Sequence, residues 1–129
     1  MSTKMLIAVP SNAPGGLDAS PSAHFGHCDV YTIATVNDGK VEEVHVHPNS
    51  GHDHGNCLAP VLELAQQGVR VLIAGGMGMN PLRGLQEAGI QVYYSAGMEN
   101  VGSIIAAFAA GSLQPFGTDN LCKGGCSHH

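Results

Sequence analysis

Tryptophan is absent from this chain of 129 residues, and Phe and Tyr number three each, so aliphatic side chains, alanine and glycine must fill the interior. Such a core suits thin, closely packed layers. Basic residues are almost as scarce. Five Lys and Arg against ten Asp and Glu give a formal net charge of −5, and they form no stripe able to neutralise a phosphate backbone. Nucleic acid is therefore not an expected partner. No apolar run approaches the ~20 residues that span a bilayer, and Met5 to Val9, closed by Pro10, is too short for the apolar region of a secretory signal. The expectation is a cytoplasmic protein with no membrane partner. There, thiols stay reduced, so the four cysteines read as metal-binding or redox residues and not as disulfides.

Catalytic templates are missing too. The sequence holds no Gly-x-Ser-x-Gly elbow and no His-Glu-x-x-His helix, and its carboxylates form no evident acid–base pair. Cys57 and His54 can be drawn as nucleophile and base, but no oxyanion hole or orienting group accompanies them. The chain is not expected to be an enzyme.

The length fits one domain with one core. Met5 to Val9 has the length and apolar continuity of a buried strand. Val30 to Val36 and Val41 to Val46 flank Asn37-Asp38-Gly39-Lys40, whose Asp-Gly pair suits a tight hairpin. Leu58, Val61, Leu62 and Ala65 repeat at helical spacing over residues 58 to 67, with Gly68 just past the end. Val69 to Ala74 is a second buried strand. Asn80-Pro81 then gives an N-cap and a proline at the first helical position, for a helix over 81 to 88. Ile90 to Tyr94 makes a further strand, and Val101, Ile104, Ile105 and Phe108 form the apolar stripe of a helix ending at Gly111. Two successive strand–helix units require a parallel portion of sheet, whereas the hairpin is antiparallel. The expected fold is α/β, a single domain with a mixed five-stranded sheet and helices packed on it. The expected domain covers residues 1–113, followed by a flexible Cys/His-rich tail over 114–129.

What the chain does have is ligand chemistry: eight histidines and four cysteines, most of them in three polar clusters. Imidazole and thiolate are the side chains that best hold borderline and soft metals. The first cluster gives His24, His27 and Cys28 where a loop opens the hairpin, and a buried structural role for Cys28 is the competing reading. The second gives His52, His54 and Cys57, the last just before a helix N-terminus that would favour a thiolate. The third gives Cys122 and Cys126 in the glycine-rich tail, with His128 and His129 as native residues or an expression remnant. His45 and His47 alternate along a strand and read as an ordinary solvent-facing pair. Gly75, Gly76, Met77 and Gly78 lie at the carboxyl end of a buried strand, where backbone N–H groups can cradle an anion. Lacking the Lys-Ser/Thr of a P-loop, the segment is a weak nucleotide motif, and a tight glycine turn is the plain alternative.

Ile7-Ala8-Val9-Pro10, Gly16-Leu17-Asp18, Ser22-Ala23-His24-Phe25-Gly26-His27-Cys28, Ala74-Gly75-Gly76-Met77-Gly78 and Asn80-Pro81 together resemble the dinitrogenase iron–molybdenum cofactor biosynthesis family, NifX-like proteins and NifB-like C-terminal domains. The resemblance covers roughly residues 4 to 113. It implies a ribonuclease H-like fold and the binding, carrying or chaperoning of an iron–sulfur or iron–molybdenum type cluster or its precursor, in company with a cluster-biosynthesis or acceptor protein. It also implies a site at His24, His27 and Cys28 and at Gly75 to Gly78. Two other functions fit the residues: a mononuclear zinc, nickel or copper buffer or sensor using His52, His54, Cys57 and the tail, and a nucleotide- or phosphate-binding enzyme built on Gly75 to Gly78.

Overall fold

The computed structural model describes residues 4–22, 28–48, 59–77, 79–95 and 98–117. Its elements run β1 (Lys4–Ser11), β2 (Val30–Asn37), β3 (Lys40–Pro48), α1 (Ala59–Gln66), β4 (Val69–Ala74), α2 (Met79–Glu87), β5 (Gln91–Tyr94), α3 (Val101–Ala109) and β6 (Gln114–Pro115). They build one mixed sheet in the order β3-β2-β1-β4-β5-β6. β1, β4 and β5 are parallel, while β2 and β3 form the antiparallel hairpin attached to β1.

The hairpin turn falls at Asp38 and Gly39, with φ of 54° and 85°. Positive φ at both central residues matches the turn to the twist of the flanking strands, which is why Asp-Gly appears there.

Side chains alternate across the sheet and sort the apolar residues into two layers. On one face Ala8, Tyr31, Ile33 and Leu72 pack against Val61 and Leu64 of α1 and Leu82 and Leu85 of α2. On the other Ile7, Val9, Ala34, Val71 and Ile73 pack against Val101, Ile104 and Ile105 of α3. With both faces covered, the parallel strands read as continuous apolar runs. α3 starts at Asn100, whose side-chain oxygen accepts from the Ser103 N–H at 3.1 Å, and the chain turns away at Gly111 with φ of 76°.

Two expectations are corrected. The sheet has six strands and not five, because Gln114–Pro115 pairs antiparallel with Tyr93 and Tyr94. Phe116 is buried beyond it, its N–H donating to the Val92 carbonyl at 2.9 Å and its ring edge-on to Tyr94. The two-residue strand has no apolar pattern of its own; Leu113 before it and Phe116 after it pack the segment against the two core layers. Second, α2 begins at Met79, so Asn80 lies inside the helix and Pro81 in its first turn. A missing N–H costs nothing there.

Ile104 is fully buried and Leu62 of α1 is 61% exposed. Ile104→Ala is expected to lower unfolding stability by about 2–5 kcal/mol, and Leu62→Ala by no more than about 0.5 kcal/mol. Urea titration of the two variants checks the contrast.

Candidate functional site

Ser11 pairs with Val30, and Val30 with Pro48, so the end of β1, the start of β2 and the end of β3 share one edge of the sheet. The parallel strands β4 and β5 end on that edge at Ala74 and Tyr94. α1 and α2 each lead into a parallel strand beginning at the opposite edge, which puts both helix N-termini on this one. Ligands of open α/β sheets bind at such carboxyl ends.

Two sulfur side chains stand at the edge, Cys28 at 3% and Met77 at 1% exposure, both in the core layer beneath α1 and α2. Gly75 is exposed and Gly76 buried. A Cβ added at Gly75 would meet Ser95 Oγ at 3.3 Å, and the Ser95 N–H donates to the Ala74 carbonyl at 3.0 Å. Glycine thus allows the turn after β4 to lie close against the turn after β5.

None of the three described helices has an acidic residue in its first turn, so the positive end of each dipole lacks a compensating charge of its own there, a condition that favours an anion. α3 is closed. Its Val101 and Gly102 N–H groups donate to the carbonyls of Ala19 and Leu17 at 3.0 and 2.8 Å, and Ser103 is taken by Asn100.

Those carbonyls belong to the glycine-rich segment between β1 and β2, and a small polar network fastens its other side. Ser11 Oγ donates to the Val9 carbonyl at 2.8 Å. Its one proton being spent, the 2.8 Å contact with Thr32 Oγ1 is made by the threonine O–H donating to the serine oxygen. Thr32 Oγ1 accepts in turn from the Gly16 N–H at 3.0 Å, and Asp29 Oδ2 from the Ala13 N–H at 3.0 Å. Ser11 and Thr32 are both fully buried. Sequence reasoning missed them; the only signal was a hydroxyl at each of two positions in otherwise apolar strands. The Gly16-Leu17-Asp18 motif therefore serves as a strap between the site edge and α3.

His45 and His47 do not simply face solvent. His47 Nε2 lies 3.0 Å from Glu63 Oε1 of α1, and the exposed His45 Nε2 lies 3.4 Å from Oε1 of Gln67, just past the helix end. Spacing of two along the strand is matched by spacing of four along the last turn of α1 and the residue after it, whose N–H donates to the Glu63 carbonyl at 3.2 Å.

Of the residues singled out from the sequence, Cys28, Gly75, Gly76 and Met77 meet at this edge. His24, His27, His52, His54, Cys57, Gly78, Cys122 and Cys126, with His128 and His129, lie outside the described residues. Among the described residues no group of three or more His, Cys, Asp or Glu is arranged to hold a metal ion, and no helix is long and apolar enough to cross a membrane.

Thr32→Val should cost about 1–3 kcal/mol, because it leaves the Gly16 N–H without its acceptor. The strap should then be cut faster by protease near Gly15 and Gly16, a change that mass spectrometry of the fragments reads directly.

The profile of a family described as dinitrogenase iron-molybdenum cofactor matches residues 3–111. An uncharacterized protein of Methanocaldococcus jannaschii is 26% identical over 97 residues, 74% of this chain and 81% of that one. Among solved structures, a Thermotoga protein named as a candidate NifB is 30% identical with a TM-score of 0.70, covering 86% of this chain and 92% of the other. The apo form of the orange protein from Desulfovibrio gigas has a TM-score of 0.77 at 24% identity, with 90% and 96% of the two chains covered. At that identity the likeness is one of fold.

Proposed function

Since the chain belongs to the dinitrogenase iron-molybdenum cofactor family, we propose that it is a binding or carrier protein for an iron–sulfur or iron–molybdenum type cluster or its precursor. The cluster is its cargo, not a centre for turnover, and the protein is no enzyme. One observation carries the reading: Cys28, the Gly75 to Met77 turn and the N-terminus of α2 gather at one sheet edge. Pro48 and Ala59, the residues that bound the ligand-rich stretch 49–58, open onto the same edge.

The chemistry of the gathered groups suits such cargo. Thiolate is the soft ligand that iron–sulfur and thiomolybdate units take, and backbone N–H groups with a helix dipole stabilise the negative charge of sulfur-rich clusters. The donor set is lean, however, with one thiol and no three-ligand group among the described residues. The hold accordingly combines Cys28 with backbone donors, and His24, His27, His52, His54 and Cys57 complete it from the adjoining segments. Cys122 and Cys126 act as accessory ligands. A cytoplasmic cluster-biosynthesis or acceptor protein supplies or receives the cargo. The strand order β3-β2-β1-β4-β5 supports a ribonuclease H-like classification for the scaffold.

Anaerobic reconstitution with iron, sulfide and molybdate, followed by desalting, should leave a coloured protein with metal at stoichiometric levels by mass spectrometry. The triple variant His24→Ala, His27→Ala, Cys28→Ser should retain several-fold less, and deletion of residues 118–129 should leave retention nearly unchanged. A protein that keeps no cluster, but binds one zinc ion lost on Cys57→Ser or tail deletion, would be a mononuclear metal buffer instead.

A further inference from the structure

Among the described residues β3 is the outer strand of the sheet, with β2 as its only neighbour in the strand order. No described strand pairs with its other side, and an outer strand of this kind is an edge on which another strand adds. Its surface is unusually apolar for such a position. Val41, Val44 and Val46 are 40%, 36% and 38% exposed. They pair with Val36, Ala34 and Thr32, so all three stand on the face that α3 covers further along the sheet. The irregularity between Thr35 and Val36 brings Val41 onto that face in spite of its odd number.

We propose that β3 is a self-association edge, on which a second copy of this chain pairs antiparallel through a two-fold axis at Val44 to join two sheets into one. A two-fold axis perpendicular to the sheet keeps each face on its own side, so opposed residues must share a face. Within the regular stretch Glu43 to His47, the axis must therefore pass through a residue. An axis at Glu43 sets two carboxylates against each other, and one at His45 sets two imidazoles together. An axis at Val44 instead puts Val44 against its symmetry mate, and Glu43 of each copy opposite His45 of the other. Acid meets base twice on one face, while the valines form a continuous apolar stripe across the seam on the other. Glu42 is already answered within its own chain, by Asn37 Nδ2 at 2.7 Å and Lys4 Nζ at 3.8 Å. Both copies of β3 run toward their own site edge, so antiparallel pairing places the two cluster-site edges at opposite ends of the joined sheet, and both stay open.

The test is sedimentation of the full chain with reductant and EDTA, so that neither disulfides nor metal bridges can link copies. A species of twice the 13.3 kDa chain mass is expected. Val44→Lys should weaken association about tenfold or more, and Glu43→His should weaken it too. Exchange of both residues, Glu43→His with His45→Glu, should restore it, with circular dichroism confirming that every variant is folded. The proposal is overturned by a chain that stays monomeric up to about 1 mM, where even a millimolar contact would be half populated, whether or not its edge captures a different protein. It is overturned equally by a dimer indifferent to Val44→Lys and to the charge exchange.

Discussion

β1 is the strand on which the rest of the molecule is registered. It pairs antiparallel with β2 along its whole length and parallel with β4 on its other side, so it joins the hairpin half to the strand–helix half. Its side chains alternate between the two core layers, Ala8 under α1 and α2 and Ile7 and Val9 under α3. Both faces being buried, a slip of one residue would push every one of these groups into the wrong layer. The same register aligns Ser11 with Val30 and, through β2, with Pro48. The gathering of chain crossings at one edge is thus a consequence of core packing, before any ligand is considered.

The two halves of that edge are finished differently. On the α3 side the Ser11–Thr32 pair, the Gly16 N–H and the carbonyls of Leu17 and Ala19 satisfy one another, leaving a helix end with its donors spent. On the α1 and α2 side the turn after β4 is glycine, and two buried sulfurs stand behind it. A buried polar network that is fully satisfied makes rigid structure, whereas backbone N–H groups beside a helix dipole are suited to an anion. Side-chain chemistry and helix electrostatics therefore point to the same side of the sheet.

Much of this was legible in the sequence because it depends on local periodicity. The hairpin was visible in Asp38-Gly39, β4 in the apolar run from Val69, and α3 in the stripe Val101, Ile104, Ile105, Phe108. β6 was not, since a strand of Gln114 and Pro115 has no pattern to read, and it exists through the packing of Leu113 before it and Phe116 after it. The strap was hidden for a similar reason: the partnership of Ser11 with Thr32 is a matter of register between strands. Cys28 could be named as a candidate from its neighbours, yet only the fold places it in the same buried layer as Met77.

The histidines of β3 link these features. His47 is the penultimate residue of the strand, and its 3.0 Å contact with Glu63 ties it to α1. β3 ends at Pro48 and α1 begins at Ala59, so the contact joins the two elements that flank the ligand-rich stretch 49–58. Partly exposed on both sides, such a pair is worth at most about 1 kcal/mol, too little to matter for global folding. The contact thus fixes the end of β3 against α1, the two elements that flank the stretch, and adds little to the stability of the sheet.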